Sequence, residues 1–175
     1  MLKRYGLTQP NKRRRRATPS SELTQPAAAN QVWAIDFKGW FRTGGRFVRP
    51  LMEAAFREYG LPARIRSDNG SPFASTGVGG LSRLSVWWLR LGITPERIAP
   101  GHPEQYGRHE RLHRTLKQDT AQPPSRTPRA QQQAFDRFRR TYNEERPHEA
   151  LGRATPASWY EPSLRSFPER LPERE

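Results

Sequence analysis

Three carboxylates in this chain stand where chemistry is usually placed. Asp36 lies in a run that reads as a strand, "QVWAIDFKGWFR"; Asp68 closes a second, "ARIRS"; Glu110 falls in "HPEQYGRHERLHRTLKQ", residues 102–118, among arginines, histidines and a lysine. If that last stretch is a helix, about 100° per residue separates Gln105, His109, Leu112 and Leu116 from a polar face of Glu110, His113, Arg114 and Lys117. Magnesium takes hard oxygen ligands, one or two carboxylates per ion with water and phosphate completing the shell. Three acids suffice for two ions, and two ions about 3.5 to 4 Å apart can activate an attacking oxygen and stabilise a leaving one in an in-line displacement at phosphorus. Arg114 and Lys117, one and two turns beyond Glu110, suit phosphates beside such a centre.

Each residue also has a plainer reading. An Asp on the polar face of a strand is ordinarily solvated. "SDNGS" is an ordinary tight turn, with Asn-Gly supplying positive φ and Asp accepting local amide bonds, which accounts for Asn69 and Ser71 as well. Glu110 can pair with Arg114 at i+4, a surface contact worth about 0.3 to 0.5 kcal/mol. His113 has no readable partner and is expected in solvent, whereas His109 is expected in the core.

The elements that must position these residues follow an α/β order, and in such sheets ligands gather where strands end. Two β runs are expected around "TGG" in 31–49, a helix over 51–60 stopped by Gly60, and the short strand before Asp68. "SPFASTGVGG" reads as loop, "LSRLSVWWLRLG" as a helix ended by Gly92, and "ITPERIA" as a third strand. The helix bearing Glu110 comes next. Beyond "AQPPSRTP", the spacing of Ala134, Phe135, Phe138 and Tyr142 predicts a helix over about 129–145.

The chain carries 31 basic against 17 acidic residues, a formal net charge of +14, in 175 residues of which 33% are hydrophobic. Lys3, Arg4, Lys12 and Arg13, Arg14, Arg15 and Arg16 face Glu22 alone in the first thirty residues, which read as a disordered basic tail. Positive charge on body and tail together favours a polyanion, nucleic acid first. No apolar run approaches a spanning helix and the start lacks a signal-peptide core, so a soluble intracellular protein without a membrane partner is expected. The absence of cysteine excludes disulfides and thiolate zinc sites.

Taken together, "WAIDFKG", "RSDNGSPF", "GHPEQYGRHERLHRTLK" and "YNEERPHEALGRATPASWY" resemble the catalytic region of insertion-sequence transposases of the retroviral-integrase type. The resemblance covers residues 31 to about 161 with four blocks in the family's order, and "NKRRRRA" resembles the linker ahead of that core. It implies a ribonuclease-H-like fold, a mixed sheet flanked by helices. Asp36, Asp68 and Glu110 are then the catalytic metal triad for Mg²⁺ or Mn²⁺. The implied activity is DNA cleavage and joining with water and then a DNA 3′-hydroxyl as nucleophile, without a covalent protein intermediate. DNA contacts are expected from Arg13 to Arg16, Lys38, Asn69, Arg114 and Lys117. The implied partners are transposon-end and target DNA and further copies of the chain when active, and the implied location is the nucleoid of a bacterial cytoplasm.

The chain departs from that family in one place. Only 31 residues separate Asp36 from Asp68, where the family holds the rest of a second strand, a third strand and the start of the first long helix. The expected organisation is a basic tail over 1–30, a core over 31–122 shortened between 50 and 51, a C-terminal helix and family tail segment over 123–160, and a disordered end over 161–175. Such a shortening weakens support for Asp36 and exposes a sheet edge. The family's upstream helix-turn-helix region is also not found. A non-catalytic DNA-binding remnant of a decayed transposase is therefore the competing expectation.

Overall fold

A computed structural model describes residues 23–36, 48–99 and 107–170, with the side chains of residue 78 and of 107–109 left aside. Three short strands, β1 (Val32–Ala34), β2 (Arg64–Ser67) and β3 (Thr94–Arg97), form a sheet in the order β1-β2-β3. Both pairings are parallel, with Ala34 opposite Arg66 and Arg66 opposite Glu96. The sheet was expected to be mixed, and among the described strands it is parallel throughout. The second β run expected within 37–47 lies outside the described residues, as do the tail 1–22 and Lys38.

Helix α1 (Val48–Tyr59) begins three residues earlier than its sequence pattern suggests, and Pro50 is tolerated because it sits in the first turn. Val48, Met52 and Phe56 recur at four-residue spacing and are its buried stripe. Helix α2 (Arg83–Arg90) starts at Ser82, whose Oγ accepts the Ser85 amide at 3.1 Å, and its Leu84, Trp87 and Trp88 point inward. Between these helices and the sheet lies one core of Met52, Phe56, Ile65, Phe73, Leu84, Trp87, Trp88, Leu91 and Ile93, with Trp33, Ile35 and Phe167 against its margin. Large aromatics let few residues fill it. The Phe56 ring stands 5.9 Å from Trp33 and 5.5 Å from Trp87, and Phe73 stacks on Trp88 at 6.0 Å.

The far end of the chain corrects one expectation. Residues 161–170 were expected to be disordered, yet they are strapped across the core. Ser163 Oγ donates to the Leu61 carbonyl at 2.6 Å, Arg165 donates to the carbonyls of Pro62 and Leu91, and the Phe167 ring stacks on Phe56 at 6.2 Å. Gly60 allows this approach: its φ is +77°, and a Cβ there would lie 2.8 Å from Ser163 Cβ. One aromatic side chain and the backbone carbonyls of Leu61, Pro62 and Leu91 anchor a segment whose composition is otherwise polar.

Helix α3 (Gly107–Ala121) and helix α4 (Pro128–Arg140) pair as a hairpin. Thr127 caps α4 through the Ala130 amide, Pro128 opens it, and a π-helical turn over Thr141–Glu145 continues it. The stripe expected along α4 is thinner than its spacing implies, because no residue of α4 is buried and Phe135 is 37% exposed. Phe138 and Tyr142 do pack, 5.4 Å apart, with His148 edge-on to Tyr142 at 4.6 Å. A short helix α5 (Pro156–Trp159) follows, and Tyr160 beyond it meets Tyr59 of α1 at 5.9 Å. Among the described residues no helix is long and apolar enough to cross a membrane.

Candidate metal and nucleic-acid site

Parallel strands expose their C-terminal ends together, and two of the three acids stand there. Asp36 follows β1 by two residues, and the Ile35 amide still donates to the Arg66 carbonyl at 2.9 Å, so pairing holds the chain up to Asp36. It was expected inside a longer strand; β1 instead ends at Ala34. Asp68 directly follows β2, and its Oδ1 accepts the Gly70 amide at 3.0 Å in the turn that "SDNG" suggests.

The two acids are electrostatically linked. Burial pushes the Asp68 carboxyl above the ordinary aspartate range, the Gly70 amide pulls it back in part, and the negative charge of Asp36 adds to the rise. A divalent cation between two such groups would relieve both burdens, so the donor chemistry of this pair fits one hard ion.

Asn69 has a structural task. Its Nδ2 donates to the Ile98 carbonyl at 2.6 Å and ties the end of β2 to the end of β3, while its Oδ1 is buried without a hydrogen-bond partner. That second atom is an orphaned acceptor beside Asp68.

On α3, Glu110, Arg114 and Lys117 are exposed, and Leu112 and Leu116 are half-buried. The helix thus presents the polar face its sequence predicts. His113, expected in solvent, is the exception: its side chain is 15% exposed and its Nδ1 lies 3.5 Å from Asp36 Oδ2. The signal was its position three residues after Glu110 on one helix face, but nothing in the sequence showed Asp36 opposite. The side chain of His109 is outside the described residues. Among the described residues no group of three or more His, Asp or Glu side chains is gathered closely enough to hold a metal ion.

A second polar assembly was not anticipated. Glu96 of β3 is 2% exposed; one oxygen accepts Arg66 Nε at 2.7 Å and the other the Thr24 amide at 2.7 Å. Burial disfavours the charge on Glu96, but the Thr24 amide and hydroxyl and the Arg66 guanidinium outweigh it and hold the carboxyl below the ordinary glutamate range. Alternation in "TPERIA" places Glu96 on a face, yet a partner thirty residues away and another in the tail cannot be read from it.

Comparison with known proteins agrees with this architecture. The integrase core domain family matches residues 91–156, which span β3, α3, α4 and the segment after them. An uncharacterized 31.7 kDa protein of insertion element IS407 from Burkholderia multivorans is 26% identical over 166 residues, covering 79% of this chain and 58% of that protein. An uncharacterized 39.2 kDa protein of insertion element IS476 from Xanthomonas euvesicatoria is 30% identical over 116 residues, 66% of this chain and 32% of its own length. The Gag-Pol polyprotein of baboon endogenous virus is 32% identical over 94 residues, half of this chain and 5% of the polyprotein. The chain therefore spans a little over half of the first relative and far less of the others. Among solved structures, a chain of the simian T-cell lymphotropic virus intasome in complex with PP2A regulatory subunit B56 gamma superposes with a TM-score of 0.62 at 18% identity, over 98% of this chain and 68% of that one. That superposition identifies the fold as the ribonuclease-H-like integrase core.

Proposed function

We propose, from the premise that this chain belongs to the integrase/transposase catalytic-core family, that it acts as a DNA-binding remnant of a transposase that does not itself cut or join strands. The observation that carries this reading is the open site. Asp36 and Asp68 follow neighbouring strands, no group of three or more acid or histidine side chains among the described residues could hold a metal ion, and His113 lies against Asp36. DNA binding rests on charge: a net +14, with Arg114 and Lys117 exposed on α3 and Arg13 to Arg16 in the tail. Lys38 and Asn69 are further candidate contacts, although Asn69 already spends one donor on Ile98. The test is a salt titration of DNA affinity for the unaltered chain and for the triple variant Asp36→Asn, Asp68→Asn, Glu110→Gln. Equal salt slopes and affinities no weaker in the variant support the reading; absence of salt-dependent DNA binding in the unaltered chain refutes it.

A second reading has one observation in its favour, the Asp36 and Asp68 pair. In that reading the chain cleaves DNA and transfers strands, alone or as a homo-oligomer, with Asp36, Asp68 and Glu110 as ligands. Mg²⁺ or Mn²⁺ held there supplies Lewis-acid activation of the attacking and leaving oxygens. Arg114 and Lys117 position phosphates beside them, and the protein works at the nucleoid of a bacterial cytoplasm. Mg²⁺-dependent nicking that any one of the three acid substitutions abolishes would establish it over the first.

A further inference from the structure

Arg137 of α4 and Arg146, the residue that caps the end of the π-helical turn, line one cleft of about 310 Å³. Half-buried Ala134, Phe138 and Tyr142 supply its apolar lining, and Asp119 of α3 is the one acid among the described residues that line it. Both arginines are exposed, and among the described residues neither side chain makes an ion pair or a hydrogen bond.

Arg146 is held in place without being neutralised. Its amide donates to the Thr141 carbonyl at 2.8 Å, and its guanidinium carbon lies 5.8 Å from the centre of the Tyr142 ring. That ring is itself packed, 5.4 Å from Phe138 and edge-on to His148 at 4.6 Å. A guanidinium resting on a fixed aromatic ring loses little further freedom on taking a ligand, and all its N–H groups are available to one. Arg137, one turn before Thr141 on α4, supplies a second fork at the same cleft. Two such forks suit an oxyanion that accepts from both.

Charge and size narrow the class of anion. Two arginines against Asp119 leave the lining at 2 − 1 = +1, which balances the single charge of a phosphodiester rather than the near-double charge of a free or terminal phosphate. The volume stands at the small end of ligand sites, which begin at about 300 Å³, and the apolar lining gives a dry surface to the sugar beside the phosphate. We infer that this cleft seats one backbone phosphodiester of a nucleic-acid strand, with Arg137 and Arg146 donating to its oxygens and the adjoining sugar against Ala134 and Phe138. Asp119 comes two residues after Lys117, about 200° around α3, so the cleft opens on another flank of the hairpin from Lys117. The inference rests on the DNA-binding function proposed above and adds to it a second place of contact.

The experiment follows the arginine Nε–Hε signals of the isotope-labelled full chain by nuclear magnetic resonance, those of Arg137 and Arg146 being identified by their loss in Arg137→Gln and Arg146→Gln. The probe is the dinucleotide d(ApA), which carries one phosphodiester, and inorganic phosphate at equal ionic strength is the comparison. Both signals are expected to shift with d(ApA) and to saturate with one dissociation constant, and phosphate is expected to saturate them only at higher concentration. The double variant Arg137→Gln, Arg146→Gln, followed at the amides of Ala134 and Thr141, should bind d(ApA) at least about tenfold more weakly; its amide spectrum reports its folding. Signals that do not move with d(ApA), or that phosphate saturates as tightly, overturn the proposal, and so does an unchanged affinity in the folded double variant. If d(ApA) seats here but salt-dependent binding of duplex DNA is absent, the cleft stands and the function proposed above falls. If duplex DNA binds and the cleft fails the d(ApA) test, the cleft alone falls.

Discussion

His113 Nδ1 and Asp36 Oδ2 stand 3.5 Å apart, joining a helix and a strand end that are far apart in the sequence. The contact places α3 against the acid-bearing edge of the sheet and does so through His113, leaving Glu110, one turn earlier on the same helix, exposed. The partly exposed pair contributes little to stability, and His113→Ala is expected to cost less than about 1 kcal/mol in a urea titration. A loss of several kcal/mol would mean that the contact holds α3 in place.

Asp68 should destabilise the protein near neutral pH. Its carboxyl is raised in the folded state, first by burial and further by the charge of Asp36. The folded protein then binds more protons than the unfolded one from the ordinary aspartate value of about 3.9 upward to the raised value, so stability falls as pH rises through that window. Asp68→Asn is expected to flatten this part of the profile and to raise the melting temperature at pH 7. An unchanged profile would show that the Asp68 carboxyl is not raised in the folded protein.

Glu96 should act with the opposite sign. Its depressed pKa contributes stability that is present above the ordinary glutamate value of about 4.3 and is lost as pH falls through the folded-state value. Glu96→Gln, read by chemical denaturation at pH 7, should cost about 3 kcal/mol, because it leaves Arg66 without its carboxylate in a largely buried place. A cost below about 1 kcal/mol would mean that water replaces the lost partner.

Phe167 should matter although it lies near the end of a polar segment. Its ring meets Phe56 and Trp87, and Arg57 lies 5.0 Å from its centroid. Phe167→Ala is expected to cost about 2 kcal/mol, less than a fully buried Phe because the side chain is only half-buried. Calorimetry of this variant and of a chain ending at residue 160 should show both destabilised, the truncation more.

DNA affinity should carry the signature of counterion release. Arg114→Ala and Lys117→Ala are each expected to lower the magnitude of the log K against log salt slope by about one if each meets a phosphate. Removing residues 1–20 should lower it by several units. Unchanged slopes would assign binding to other cations.

Much of this fold was legible because its signals are local. The strand before Asp68, the α2 helix with its Ser82 cap and Gly92 stop, and α3 with its leucine face all follow from spacing and capping residues. The order of the acids along the elements was legible for the same reason, and so was the integrase-core resemblance. What escaped depends on contacts between distant segments. Residues 161–170 look like a free tail until Phe167 finds Phe56; His113 looks solvated until Asp36 is opposite; Glu96 looks like a surface acid until Thr24 and Arg66 enclose it. Composition reports none of these pairings, since each is decided by how the sheet and helices come together.

The most direct test of the account is a plasmid-nicking and strand-joining assay of the unaltered chain with Mg²⁺ and with Mn²⁺, at salt concentrations where it is bound to the DNA. The account predicts bound DNA that stays intact and unjoined with either metal. Metal-dependent nicks or joined products that disappear in Asp36→Asn, Asp68→Asn and Glu110→Gln would contradict it and show that the three acids assemble a working centre.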